Sequence, residues 1–121
     1  MTHTLSGLTI LIVEDEMMVL MTIESMLQDL GCSTMYAAAT VDQAIALIGT
    51  YQFDAAMLDV NLDGITSFAV ADVLSAKAIP FIFSTGYSEL RCSSGHSHRP
   101  VINKPFNVGR LGTAMQRLLS A

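Results

Sequence analysis

Apolar residues along the chain fall into short blocks separated by polar breaks. Thr9-Ile10-Leu11-Ile12-Val13 is apolar on both faces, the pattern of a central parallel strand. Leu20, Ile23, Leu27 and Leu30 then recur at helical spacing and stop at Gly31, a helix C-terminal signal. Ser33 to Ala37 reads as a second strand, and Thr40 caps a helix carrying Val41, Ala44, Ile45 and Ile48 that Gly49 closes. Asp54 to Asp59 gives a third strand, and Ser67 to Lys77 fits a helix with Phe68, Ala71 and Leu74 on one face. Pro80-Phe81-Ile82-Phe83-Ser84 is the fourth strand and Val101-Ile102 a short fifth. Between them, Tyr87 to Arg99 is rich in Ser and Gly and reads as a loop or a broken, mobile helix. The last helix starts near Asn107 or Val108 and buries Leu111, Met115, Leu118 and Leu119.

Strand and helix thus alternate about five times, which predicts an α/β sandwich around a doubly wound parallel sheet. The 121 residues suit one domain, and no linker, repeat or low-complexity block divides them. At 51% hydrophobic and 14% charged, the chain can fill a core and is unlike a disordered segment. A net charge of −5 with six scattered basic residues excludes a nucleic-acid binder, which needs clustered Lys and Arg. The start Met1-Thr2-His3-Thr4 lacks a signal peptide's basic region, and no apolar run reaches the ~18 residues of a membrane span. A soluble, cytoplasmic protein is expected.

Charge changes the picture at the strand ends. Glu14 and Asp15 follow the first strand, Asp59 the third, Ser84-Thr85 the fourth and Lys104 the fifth. Right-handed crossovers would bring all of them to one edge of the sheet, where ligand sites of such folds gather. Packed carboxylates repel and favour a hard cation; Mg²⁺ suits one or two carboxylates plus phosphate oxygens. Lys104 and Thr85 could each address a further phosphoryl oxygen, so the set fits phosphoryl transfer to a carboxylate.

Four motifs then carry a family resemblance. Ile12-Val13-Glu14-Asp15-Glu16 resembles the acidic-pair motif of the receiver domains of two-component response regulators. Leu58-Asp59-Val60-Asn61-Leu62-Asp63-Gly64 resembles their phospho-acceptor strand and loop. Thr85-Gly86 is similar to the Thr/Ser-Ala pair after the fourth strand, and Lys104-Pro105-Phe106 to the Lys-Pro-Phe signature with its usual cis bond. The resemblance implies a flavodoxin-like (βα)5 fold, sheet order 2-1-3-4-5, with the fourth helix here short or disordered.

The resemblance further implies that Asp59 takes a phosphoryl group from a phosphohistidine. Glu14, Asp15, Asp59 and the backbone carbonyl of Asn61 would hold Mg²⁺, and Lys104, Thr85 and Gly86 would stabilise the phosphoryl group. Asn61 and Tyr87 would tune its lifetime. The implied partner is a sensor histidine kinase or phosphotransfer protein docking near the first and fifth helices, with an unidentified downstream protein. The chain would be a monomer or weak homodimer and a phospho-acceptor rather than an enzyme. It would act as a single-domain switch or as a phosphate sink.

The sequence also departs from the family pattern. Asn61-Leu62-Asp63-Gly64 replaces the proline loop after the acceptor, and Asp63-Gly64 reads as the turn into the third helix. Val101 stands where an aromatic switch residue is usual. Phe83-Ser84-Thr85-Gly86-Tyr87 is similar to the Phe-Ala-Thr-Gly-Tyr subgroup of stand-alone receivers, which are linked to HWE-class and related kinases.

Two other functions share some of these residues. A haloacid-dehalogenase-like phosphatase would need a second Asp where Asn61 stands, and a pseudo-receiver binding module would not need Asp59, Thr85 and Lys104 intact. Cys32 and Cys92 lack a CxxC spacing and read as a buried small hydrophobe and a loop thiol. His96 and His98 have no neighbouring Cys or acid and read as loop residues. Met17, Met18, Met21 and Met26 read as filler around the first helix, with a partner-binding stripe as the alternative.

Overall fold

The computed structural model describes residues 5–86 and 99–120. His3, Cys92, His96, His98 and Tyr87, with nearly all of the Tyr87 to Arg99 stretch, lie outside the described residues.

Five strands form one parallel sheet: β1 (Thr9–Val13), β2 (Thr34–Ala38), β3 (Ala55–Asp59), β6 (Phe81–Thr85) and β7 (Val101–Asn103). Their order is β2-β1-β3-β6-β7, which is the flavodoxin-like 2-1-3-4-5 order when only these strands are counted. Between them run α1 (Met17–Asp29), α2 (Val41–Thr50) and α3 (Phe68–Ala76), and α4 (Val108–Ser120) follows β7. β4 (Asn61–Leu62) and β5 (Ile65–Thr66) form a separate small hairpin.

Strand side chains alternate between the two faces, so one run fills two cores. Leu11 and Val13 of β1 join Phe81, Phe83 and the buried residues of α2 and α3 on one face. Ile10 and Ile12 join Ile82, Ile102, Leu111 and Met115 beneath α1 and α4 on the other. Each such side chain contributes about 1.5–3 kcal/mol by leaving water, and this burial on both faces is why β1 and β3 read as unbroken apolar runs.

The helix ends follow local chemistry. Gly31 adopts φ 100° after α1, with Cys32 N–H donating to Leu27 O at 2.9 Å and Gly31 N–H to Gln28 O at 3.0 Å. This pair of bonds is the glycine-closed Schellman end that Gly31 signalled. The Thr40 hydroxyl accepts from Gln43 N–H at 3.1 Å, the expected N-cap.

Three expectations need correction. Gly49 does not close α2: Tyr51 N–H still donates to Leu47 O at 2.9 Å, and the Tyr51 ring stacks on Tyr36 with centroids 4.3 Å apart, which anchors the following residue. Asp63-Gly64 is more than a turn into α3. Both residues have positive φ, 55° and 88°, and join β4 to β5 as the mirror-image turn that suits a two-residue hairpin. Met17, Met18 and Met21 do not fill a gap: they are 66%, 80% and 57% exposed, because α1 turns only Ile23 and Leu27 fully into the core.

Candidate functional site at the carboxyl edge of the sheet

Register places the site. Val13 lies beside Ala38 and Leu58, and Glu14 N–H donates to Ala38 O at 2.9 Å, so sheet pairing continues one residue past β1. That continuation holds Glu14 inward, 1% exposed, while Asp15 follows at a more open position. Asp59 ends β3 opposite Ser84 and is 8% exposed. Asn103 pairs with Thr85, and Lys104 N–H donates to Thr85 O at 2.8 Å, so Lys104 leaves β7 level with the end of β6.

The side chains converge from there. Lys104 Nζ lies 3.1 Å from Glu14 Oε1 and 3.3 Å from Asp59 Oδ2. The other Asp59 oxygen accepts from Asn61 N–H at 3.3 Å, and the other Glu14 oxygen from Glu16 N–H at 3.3 Å. Carboxylate oxygens of Glu14, Asp15 and Asp59 lie within 4.8 Å of one another. Three acids against one ammonium leave the cluster net negative.

Burial and then the charge of Asp59 push the Glu14 carboxyl up to about 7, against the lowering pull of Lys104. Burial would lower Lys104, but Asp59 and Glu14 outweigh it and the net shift is upward. Lys104 is therefore a fixed positive charge, whereas Glu14 is a proton-binding group near neutrality. Oxygen donors only, in a net negative cluster, suit a hard divalent cation such as Mg²⁺. The set could hold one through Glu14, Asp15 and Asp59.

The other expected site residues are placed as follows. Thr85 is buried at the end of β6, beside the backbone of Lys104. Gly86 is exposed, and a Cβ built on it meets no described residue within 4 Å. Asn61 uses its side chain locally: Oδ1 accepts from Gly64 N–H at 2.7 Å and closes the hairpin. The sequence reading missed that role and the Glu16 N–H support of Glu14. The Asp-Gly pair after a short apolar–polar alternation was the available signal for the first. The Lys104–Pro105 peptide is cis, as the motif implied.

Comparison with known proteins settles the family. The model of the response regulator receiver domain matches residues 10–116. The chain belongs to that family. This receiver domain is 31% identical over 115 residues to the phyllosphere-induced regulator PhyR of Methylorubrum extorquens, covering 91% of this chain and 43% of PhyR. It thus spans less than half of that relative's length.

Among solved structures, SdrG from Sphingomonas melonis Fr1 is 41% identical, with a TM-score of 0.82 over 93% of this chain and 96% of SdrG. The receiver domain of sensor histidine kinase PA1611 from Pseudomonas aeruginosa PAO1 shares the fold, with a TM-score of 0.83 at 24% identity. The alignment covers 96% of this chain and 100% of the PA1611 domain. That structure has a magnesium ion coordinated in its active-site cleft. The receiver family is a signalling module rather than a conventional enzyme. No helix among the described residues is long and apolar enough to cross a membrane.

Proposed function

We propose that the 121 residues act as one receiver unit and that Asp59 accepts a phosphoryl group from the phosphohistidine of a sensor kinase or phosphotransfer protein. The observation that carries this reading is the position of Asp59: a carboxylate at a sheet edge, 3.3 Å from Lys104 and beside two further acids. An Asp59 oxygen would attack phosphorus in line with the imidazole nitrogen. The P–N bond breaks with its electron pair going to that nitrogen, which is then protonated, and an acyl phosphate remains on Asp59.

Lys104 would move its charge from the Asp59 carboxylate to the transferred oxygens, helped by the Thr85 hydroxyl and the Gly86 N–H. Glu14, Asp15, Asp59 and the Asn61 carbonyl would hold Mg²⁺, which when bound supplies positive charge against the phosphoryl oxygens. Asn61 would limit access to the acyl phosphate, and Tyr87 is the second residue proposed for that role. The donor protein would dock beside α1 and α4, where Met18, Met21, Phe106 and Val108 line a shallow groove. Output would follow through a phosphorylation-dependent protein contact or through drainage of phosphate from a competing regulator.

The test is labelling with acetyl phosphate and Mg²⁺, and with a phosphorylated histidine kinase. An alkali-labile label that disappears in Asp59→Asn supports the reading. A wild-type chain that takes no label from either donor would leave a pseudo-receiver in its place.

A further inference from the structure

A second concave site lies at the opposite end of the sheet. Around the amino ends of β6 and β7, between the last turns of α3 and α4, a cleft of about 740 Å³ opens. That volume falls within the roughly 300–1,000 Å³ of small-ligand sites. Its walls are mixed, somewhat more apolar than polar, with Ile79, Phe81 and Leu118 among them, and Arg99 and Arg117 line the same cleft.

Those cations are unusual for this chain. Only six basic residues offset eleven acids, yet among the described residues no carboxylate lies within ion-pair distance of Arg99 or Arg117. Arg99 is held in place: Nη2 donates to Ser75 Oγ at 2.7 Å, and the guanidinium lies 4.7 Å from the Phe81 ring centroid. Its Nε has no hydrogen-bond partner among the described residues. Arg117 is exposed, and its guanidinium makes no hydrogen bond to a described residue. The acid lining the cleft, Asp54, already accepts from Thr9 N–H at 2.8 Å.

We propose that this cleft binds a small organic monocarboxylate with an apolar body. The apolar part of the wall takes the body, and the arginines take the head. A guanidinium fixed by stacking and by one hydrogen bond loses little freedom when it pairs with a planar carboxylate. Asp54 opposes a second negative charge, which favours a monoanion over inorganic phosphate. None of the residues used belongs to the phosphoryl site, so the inference stands whether or not Asp59 is phosphorylated.

The test uses octanoate, octanol and inorganic phosphate, titrated into the ¹⁵N-labelled whole chain. Octanoate is expected to shift the amides of Phe81, Val101 and Leu118 while Glu14 and Asp59 stay still. Octanol should bind about tenfold more weakly, the ratio of roughly one charge-assisted contact, and phosphate should leave these amides unmoved. Arg117→Gln removes an exposed side chain and should weaken octanoate about tenfold without unfolding the chain. Arg99→Lys should weaken it as well, because Lys lacks the planar fork. Equal binding of octanol and octanoate, unchanged affinity in Arg117→Gln, or shifts scattered over the surface would each overturn the proposal.

Discussion

Lys104 Nζ and Glu14 Oε1 lie 3.1 Å apart, so the acid site holds an internal ion pair before any ligand arrives. The lysine is shared with Asp59, and Glu14 is the more deeply buried of the two carboxylates. Loss of either side leaves a charge without its counterpart at a desolvated edge.

The first consequence concerns acidity. Glu14 titrates at about 7 in the folded chain against an ordinary 4.5. Between those values the folded state keeps a proton that the unfolded state has released, so stability falls as pH rises through the window. In metal-free buffer the melting temperature should drop by roughly 5 °C between about pH 5 and about pH 8. Glu14→Gln should flatten that slope; an equally steep slope in the variant would show that other groups cause it.

Divalent cations should reverse the loss. Mg²⁺ at about ten times its dissociation constant stabilises by ~1.4 kcal/mol, equivalent to about 4 °C of melting temperature. The gain should be larger above neutrality than at about pH 6, because the Glu14 proton competes with the metal. Asp15→Asn should reduce it, and calorimetric scans with and without Mg²⁺ check both statements.

The hairpin beyond Asp59 makes a separate demand on the backbone. Gly64 sits at φ 88°, so Gly64→Val should cost about 1–2 kcal/mol in urea unfolding. Asp63→Asn should cost nothing or add a few tenths of a kcal/mol, since Asn favours the φ of 55° found there. Equal destabilisation by the two changes would argue against the mirror-image turn.

The exposed methionines should matter to a protein donor and to nothing internal. Replacing Met17 and Met18 by Gln should change stability by less than about 0.5 kcal/mol, as expected of surface positions. Labelling by acetyl phosphate should be unchanged, while transfer from a kinase slows. Equal rates from the kinase would place docking elsewhere.

Much of this was legible in the residues themselves. β1 and β3 are apolar on both faces, and only a central strand of a covered parallel sheet satisfies such a run. The acids and Lys104 could be assigned to one edge because parallel strands all end there. Three features were not legible. Asn61 could serve the phosphoryl site or the turn, and only the 2.7 Å bond to Gly64 N–H assigns its side chain. The α1 methionines have core-like chemistry, so composition could not tell a filler from an exposed stripe. The Arg99 cleft joins residues of α3, β6, β7 and α4, and no local pattern encodes such a meeting.

The strand order has a further consequence, for the time at which the chain becomes competent. Among the described strands β7 pairs only with β6, and β7 delivers Lys104 to a Glu14 that lies 90 residues earlier. Pairing over such a long sequence separation is intrinsically slow. During synthesis Asp59 emerges well before Lys104, and on the proposed reading a nascent or truncated chain would present an inert carboxylate. On that reading, chemical competence would report that the whole sheet has closed.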